Sequence, residues 1–340
     1  MNRNPSTRIS KQVLLSLLLL LFLLIFFASF SIGRYSLSPF EVLQILLRRI
    51  FNFSISLQSN AEIVVFQIRL PRILGAALIG MALSVSGSIY QGIFHNPLVA
   101  PDLLGSSAGS GFGAALMILL GGTQYFIHFS AFFLGSFAVF LSVIIASRYK
   151  SSPTFGLLLS GIMISSLFTA ATSYVKLVAD PTDQLPAITY WLMGSLSSLR
   201  LQDLQLLLPM VAFSCLFLFL IRWRLNLLSL NDEEARSLGV NTKGLRILVI
   251  FLTTLMTSAC VAVSGLIGWV GLVIPHFTRK LVGCDFRYQL PASLLLGASF
   301  MMLVDNLSRT LASVEVPIGI LTAFIGAPFF LWMILKGGHE

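Results

Sequence analysis

The sequence predicts an all-α integral membrane protein with about ten transmembrane helices, forming a single domain over residues 1–340. The chain is 56% hydrophobic and only 10% charged, and it contains 28 phenylalanines. Its mean hydropathy is +0.90. A water-soluble fold has too little interior to bury this much apolar surface. We therefore expect membrane lipid as its surroundings and no nucleic-acid partner.

Ten segments are apolar enough to be bilayer-crossing helices, each of which needs roughly 20 residues. The first follows Arg3, Arg8 and Lys11, as a signal peptide would, but no convincing cleavage site follows Phe27. We expect it to be a retained helix. The ten segments are 13–33, 70–92, 103–121, 125–147, 155–178, 203–222, 244–266, 268–282, 291–311 and 318–336.

The chain between the second and third predicted spans is interrupted at Asn96 and Pro97, and a glycine-rich stretch follows. Two interpretations remain open. Irregular backbone at membrane depth persists only where protein or a water-filled cavity satisfies its polar groups, so the break indicates a transport pathway or a gate. Alternatively, the segment is a short cytoplasmic turn between two spans.

The distribution of lysine and arginine predicts that both termini lie in the cytoplasm. In that orientation fourteen of the twenty-two basic residues face inward. The remaining eight need a separate explanation, because a basic external face can contact an acidic protein, an anionic solute or lipid headgroups. These eight are Arg34, Arg48, Arg49, Arg69, Arg72, Lys176, Arg200 and Arg309.

The sequence lacks the residue patterns of metal and catalytic sites. Its four histidines are scattered and its three cysteines lie in or beside predicted spans, so we expect neither a metal site nor a structural disulfide. No phosphate-binding loop occurs, which assigns any ATP hydrolysis to another polypeptide. No nucleophile–base pairing supports the alternative of an intramembrane enzyme.

An autonomous secondary transporter is a second functional class. Such a transporter would usually carry ionisable groups inside its spans, where they mark ion or proton pathways. The candidate carboxylates of this sequence lie near predicted span ends instead, which disfavours that class. They are Asp102, Asp180, Asp183 and Asp305.

The most polar internal stretch, residues 226–246, lies on the predicted cytoplasmic side. Its 231–240 part predicts a short amphipathic helix that presents Ala235 and Leu238 and stops at Gly239. Such a helix can insert into a groove on a soluble partner. A solvated helix with no partner is the alternative.

Five motifs occur in order along residues 13–336. They are Arg69-Leu70-Pro71-Arg72, Gln91 to Gly105 around Asn96-Pro97-Leu98, Glu234 to Val240, Gly271 to His276, and Val316 to Phe330. Together they resemble the FecCD-type permeases, the membrane subunits of type II ABC importers for iron-siderophores, haem and cobalamin. The resemblance implies the type II ABC importer permease fold and a transport role without enzymatic activity in this chain.

The resemblance also implies a set of partners. We expect a homodimer, or a pair with a close paralogue, that carries two cytoplasmic ATPase subunits with bound ATP and Mg. A periplasmic or lipid-anchored binding protein would deliver the substrate. The assembly would lie in the inner or cytoplasmic membrane of a bacterium or archaeon.

Docking residues follow from similarity to the vitamin B12 importer of this family. There, arginines at the positions of Arg69, Arg72 and Arg309 pair with glutamates of the binding protein. Asp305, four residues before Arg309, is placed to orient it on the same helix face. These roles account for part of the predicted external basic excess.

The same similarity implies two cytoplasmic gates. Asn96 and Leu98, flanking Pro97, match the first gate. Thr154 matches the threonine of the second gate, whereas Phe155 stands where the relative has serine. This departure would narrow or reshape the opening.

The predicted contacts with the ATPase subunits are Glu234, Ala235, Leu238 and Gly239. The implied mechanism is alternating access driven by the ATPase subunits. FecCD-type permeases share these motifs across several substrates, of which iron chelates are the commonest. We therefore expect a metal chelate, with an oxyanion such as molybdate or tungstate as the alternative.

Overall fold

The computed structural model describes residues 10–51, 59–149, 153–230 and 232–337, and within these ranges the chain is helical with no β-strand. The predicted all-α fold class is confirmed. In chain order the α-helices are α1 (Lys11–Ser31), α2 (Pro39–Phe51), α3 (Ser59–Ile63), α4 (Leu70–Ile93), α5 (Ser106–Leu119), α6 (Gln124–Ser147), α7 (Pro153–Val178), α8 (Gln184–Leu192), α9 (Leu201–Leu220), α10 (Arg222–Leu228), α11 (Asp232–Ser237), α12 (Thr242–Ser264), α13 (Val270–Val282), α14 (Phe286–Thr310) and α15 (Ile318–Gly337).

Two other helical turns complete the path. A π-helical turn, Val64–Arg69, joins α3 to α4, so that residues 60–93 form one long helix. A 3-10 turn, Pro101–Leu104, leads into α5 through Gly105, which has a φ of 94°. Glycine adopts this left-handed conformation at little cost, so it can join the turn directly to the helix.

Each of the ten predicted spans coincides with a helix. In the described residues, seven helices are long and apolar enough to cross a membrane: α1, the 60–93 helix, α6, α7, α9, α12 and α14. The other three are shorter. α5 has 14 residues and α13 has 13, while the apolar part of α15 is Ile318–Trp332. Helices α2 and α8 lie in segments where no span was predicted.

Helix α4 lies at the centre of the molecule. In the most apolar 18 residues of the 60–93 helix, which contains α4, 83% of the residues are buried. The corresponding share is 78% for α12, 61% for α14 and 22% for α1. Small residues allow this close packing. A Cβ placed on Gly80 would lie 2.2 Å from the carbonyl oxygen of Gly297 in α14, and one on Gly87 would lie 1.8 Å from that of Gly271 in α13. Helix α4 therefore has a tightly fixed position.

Buried hydroxyl groups reinforce the same contacts. Ser84 donates to the carbonyl of Ser293 at 2.9 Å, and the hydroxyls of Ser88 and Ser293 lie 2.7 Å apart. By contrast, one side of α6 exposes a row of stacked phenylalanines, with 6.2 Å between the ring centroids of Phe129 and Phe133. An exposed aromatic row of this kind is suited to contact with lipid.

The contact between α4 and α14 yields a prediction for Gly80→Ala. The added Cβ cannot fit beside the Gly297 carbonyl, so the helices must separate, which we expect to cost about 1–3 kcal/mol. Thermal unfolding of the purified protein in detergent measures the effect. Gly268→Ala is the matched control, since a Cβ there meets nothing within 4 Å. Equal midpoints for the two variants would contradict the packing argument.

Candidate functional site

A buried cluster of charges joins α4 to α14 at the predicted external end. Arg72 Nε donates to Asp305 Oδ1 at 2.7 Å, and Arg72 Nη1 donates to both carboxylate oxygens of Glu315, at 3.0 and 2.8 Å. Asp305 Oδ2 lies 3.2 Å from Nε of Arg309. The side chains of Arg72, Asp305 and Arg309 are 5%, 1% and 7% exposed. Charges this deeply buried are stable only when they are paired.

The cluster also holds the end of α1. Arg69 donates to the backbone carbonyls of Phe30 and Tyr35, and Arg309 Nη1 donates to that of Ile32 at 3.2 Å. These carbonyls lie at or just beyond the last turn of α1, where a helix leaves acceptors without partners. The arginines therefore satisfy acceptors that the helix itself cannot, and they join α1 to α4 and α14.

The structure brings the three predicted docking arginines together, but it buries them. Arg69, Arg72 and Arg309 are 3%, 4% and 6% exposed. Glu315, in the turn between α14 and α15, retains 26% side-chain exposure. Sequence reasoning found the pairing of Asp305 with Arg309 and missed Glu315. The sequence indicated only that Glu315 is an acidic residue in a turn, close to the predicted basic external face.

At the opposite end of α4 the chain forms an irregular segment, as the Asn-Pro pair predicted. His95 has a φ of 49°, which is uncommon for a residue other than glycine. Asn96 Oδ1 accepts the backbone N–H of Leu98 at 2.9 Å, so the asparagine side chain stabilises its own turn. Leu98 is 49% exposed. The predicted gate residues thus form an ordered turn with an exposed leucine.

The gate turn is connected to α13 through Gln91. The backbone N–H of Asn96 donates to the carbonyl of Gln91 at 3.3 Å. The Gln91 side chain is buried, and its Nε2 donates to the carbonyl of Leu272 at 3.2 Å. Arg279 Nη2 lies 3.4 Å from Gln91 Oε1. Movement of α13 would therefore be transmitted directly to the turn.

The predicted second gate lies at the start of α7. Thr154 is partly buried, while Phe155 is 53% exposed and its ring centroid lies 6.1 Å from that of Tyr149. This aromatic contact gives Phe155 a defined position. The phenyl ring takes up more of the opening than a serine side chain would, but the gating role remains a prediction.

The predicted ATPase contacts differ in exposure. Ala235 in α11 is fully buried, whereas Leu238 is 61% exposed and Gly239 has a φ of 78°. Glu234 is exposed, and residue 231 lies outside the described ranges. Ala235 therefore packs α11 onto the chain, and the predicted contacts that a partner can reach are Glu234, Leu238 and Gly239.

Helix α10, which leads to this surface, is held against the start of α14. Asn226 Nδ2 donates to Asp285 Oδ1 at 2.8 Å, and Asn226 Oδ1 accepts the backbone N–H of Phe286 at 2.9 Å. Partial burial tends to raise the pKa of Asp285, but hydrogen bonds from Arg287 N–H and Asn226 outweigh it and lower the pKa. Gly92 at the end of α4 also approaches Ser229 and Phe286. The gate turn and the predicted ATPase contacts thus share one end of the molecule.

Asp102 lies in the 3-10 turn directly before α5, at the end of a predicted span as expected. The turn also places this carboxylate at an open groove against the middle of α7, which the sequence did not indicate. The groove has a volume of about 640 Å³. Separately, no group of three or more histidine, cysteine, aspartate or glutamate side chains suited to hold a metal ion occurs among the described residues.

Comparison with known proteins identifies the family. The sequence pattern that defines the FecCD transport family matches residues 19–336 of this chain. The chain belongs to the FecCD transport family. The relatives of this FecCD chain include the molybdate import system permease MolB of Haemophilus influenzae, 41% identical over 91% of each chain. A probable iron chelatin permease of Helicobacter pylori is 40% identical over 82% of this chain and 84% of its own. The hemin permease HmuU of Yersinia pestis is 36% identical over 97% of each chain.

Solved structures agree with the FecCD assignment. An ABC transporter described as of the metal-chelate type, in an inward-facing conformation, superposes with a TM-score of 0.86 at 40% identity. The match covers 96% of this chain and 99% of the other. PsaBC from Streptococcus pneumoniae, at 18% identity and a TM-score of 0.55, supports the fold alone.

This FecCD chain is thus a multi-span membrane permease of an ABC importer, as its motifs predicted. An importer of this kind works with ATPase and binding-protein subunits. The family assignment decides against an autonomous secondary transporter and agrees with a chain that is not itself an enzyme.

The charge cluster of the FecCD chain yields a stability prediction for Asp305→Asn. Loss of this carboxylate leaves Arg72 and Arg309 buried without their shared partner, which we expect to destabilise the fold by about 3–5 kcal/mol. Thermal or denaturant unfolding in detergent measures the change. Glu315→Gln is the control, because Glu315 is more exposed and its ion pair within the described part of the chain is with Arg72. If both variants lose the same stability, Asp305 is not the centre of the cluster.

Proposed function

We propose that this chain forms the membrane pathway of an importer for a metal chelate such as an iron-siderophore, haem or cobalamin. The observation that carries the proposal is the match over 96% of the chain to a transporter described as of the metal-chelate type. The iron chelatin and hemin permeases among the relatives support the same class. The second candidate is an oxyanion, because the molybdate permease is 41% identical.

The proposed mechanism is alternating access in a dimer of two permease chains, either identical or closely paralogous. The gate turn at Asn96–Leu98 and the residues Thr154 and Phe155 would close the cytoplasmic side. ATP, with Mg, would bind to two partner ATPase subunits and drive them together. Since a ligand shifts such an equilibrium only through its different affinity for the two states, ATP and the binding protein must each favour one conformation.

Coupling to the ATPase subunits is assigned to the 231–240 segment. Leu238 offers an exposed apolar side chain, and the nearby Glu234 offers a charge. The buried Ala235 and the turn at Gly239 fix their positions on the chain. Because this segment and the gate turn lie at the same end, a displacement there has a short path to the gate. Both chain termini are assigned to this cytoplasmic side.

Docking of a periplasmic or lipid-anchored binding protein is assigned to the arginine cluster. Three arginines face two carboxylates there, which leaves one positive charge uncompensated. Arg72 Nη2 has no hydrogen-bond partner among the described residues. Because the cluster is buried, an acidic side chain of the binding protein reaches it only if Glu315 moves aside.

The experiment that tests the substrate class is elemental analysis, with an absorption spectrum, of the binding protein that purifies with this permease and its ATPase subunits. We expect iron. A Soret band would then identify haem and its absence a siderophore, while cobalt would identify cobalamin within the same class. Molybdenum or tungsten without iron would overturn the chelate assignment and establish the oxyanion alternative.

The docking assignment predicts the effect of Arg69→Gln. Removing one positive charge from the cluster is expected to raise the dissociation constant of the binding protein about tenfold, which corresponds to 1.4 kcal/mol, and to reduce its stimulation of ATP hydrolysis. Arg69 suits this test because its described hydrogen-bond partners are backbone carbonyls, so no carboxylate is left unpaired.

Lys176→Gln is the matched control, since it removes a cation on the same predicted face outside the cluster. The affinity of this control should stay within twofold of the unmodified importer. Unchanged affinity and stimulation in a stably folded Arg69→Gln protein would show that the arginine fastens α1 and takes no part in docking.

A further inference from the structure

The groove beside Asp102 is open at the surface of the single chain and lies partway along α7. A Cβ on Gly161 of α7 would lie 2.3 Å from the carbonyl oxygen of Leu103, and one on Gly105 would lie 3.3 Å from Ser165 Oγ. The 3-10 turn therefore packs against residues 161–165. At a rise of 1.5 Å per residue, this part of α7 is about 12–18 Å from the start of the helix and about 20–26 Å from its end. Asp102 thus lies near the level of the membrane centre.

The facing side of α7 is polar. Ser165, Ser166, Thr169 and Ser173 line the groove, at the spacing of three and four residues that places side chains on one helix face. Ser166, Thr169 and Ser173 are exposed in the single chain. A run of hydroxyls beside a carboxylate is therefore presented to whatever fills the groove.

Lipid is an unsuitable occupant of this groove. Aspartates within membranes face a water-filled cavity or the protein interior, usually with a partner. Asp102 is exposed and forms no ion pair or hydrogen bond with another side chain among the described residues. The exposed face of α6, with Phe129 and Phe133, shows what a lipid-facing surface of this chain looks like.

We propose that this groove is a solute-binding station on the transport route, in which Asp102 accepts hydrogen bonds from a chelate carrying N–H, O–H or cationic groups and disfavours dianionic oxyanions. A carboxylate is an acceptor only, and the hydroxyls of Ser166 and Ser173 donate to backbone carbonyls of α7, so towards a solute they too offer acceptors. A carboxylate and an anionic solute in the same narrow groove repel each other. The station therefore favours neutral or cationic chelates over molybdate.

This inference rests on the proposed chelate importer and is tested in the complete assembly. The permease, with its ATPase subunits and binding protein, is reconstituted in vesicles, and uptake of a neutral ferric trihydroxamate is measured beside ATP hydrolysis. Asp102→Ala removes the acceptor, and we expect uptake to fall about tenfold, the effect of losing one charge-assisted hydrogen bond. Asp102→Asn keeps one acceptor oxygen and should lose less. ATP hydrolysis is recorded in the same vesicles, so that uptake is expressed per ATP hydrolysed.

Asp183→Asn is the matched control, because it removes an exposed carboxylate outside the groove, just before α8. Unchanged uptake by Asp102→Ala would overturn the station, and faster uptake would show that the carboxylate is a barrier to the solute. A wild-type assembly that takes up molybdate and not the chelate would instead overturn the proposed substrate class. The two failures are therefore distinguishable.

A chemical probe tests whether water fills the groove. In a Cys284→Ser background, Thr169→Cys should react with a charged, membrane-impermeant methanethiosulfonate reagent. Phe133→Cys, on the aromatic face of α6, should remain unmodified. If both cysteines are equally unreactive in well-folded protein, the groove is closed to aqueous solutes and the proposal fails.

Discussion

The buried pairing of Arg72 with Asp305 is the interaction on which the arrangement of the central helices depends. Two opposite charges in apolar surroundings must find each other, because neither has water to replace its partner. The pair fixes the external end of α4 against α14, and Arg309 extends the connection to the end of α1 through Ile32. The close approach of Gly80 to Gly297 fixes the same two helices further along. The ion pair at one end and the close glycine packing in the middle thus fix the position of α4 along α14.

A fixed α4 determines where the chain interruption lies. Because the helix cannot slide, its end at Ile93 stays beside α10 and α14, and the following residues lead from there to α5 through a partly buried segment. Their backbone groups find partners there: Ser142 donates to the carbonyl of Leu104 at 3.0 Å, and the Gln91 carbonyl accepts from Asn96 N–H. Irregular backbone is thereby tolerated at membrane depth. The same segment carries Asp102 to the middle of α7.

Local sequence determined much of this architecture, and tertiary contacts determined the rest. Long apolar runs predicted the spans, because a helix that crosses a bilayer needs about 20 consecutive apolar residues. Amphipathic α2 was missed because its polar and apolar residues alternate at helical spacing without forming a long apolar run. Leu238 and Ala235 lie in one predicted amphipathic segment, but only packing against the chain reveals that Ala235 is buried. The partnership of Arg72 with Glu315 joins residues 243 positions apart, a distance over which local pattern carries no information.

The charges along the proposed route constrain which solutes can pass. At the external end the arginine cluster retains one uncompensated positive charge, whereas the groove beside α7 presents the Asp102 carboxylate. An oxyanion attracted to the first position would be repelled at the second. A neutral chelate with hydrogen-bond donors would meet no such opposition, because its donors fit the carboxylate and the oxygen of the Ser166 hydroxyl, which itself donates to the carbonyl of Ile162. On the proposed route, this order of charges would favour a chelate over an oxyanion, although a molybdate permease is 41% identical to this chain.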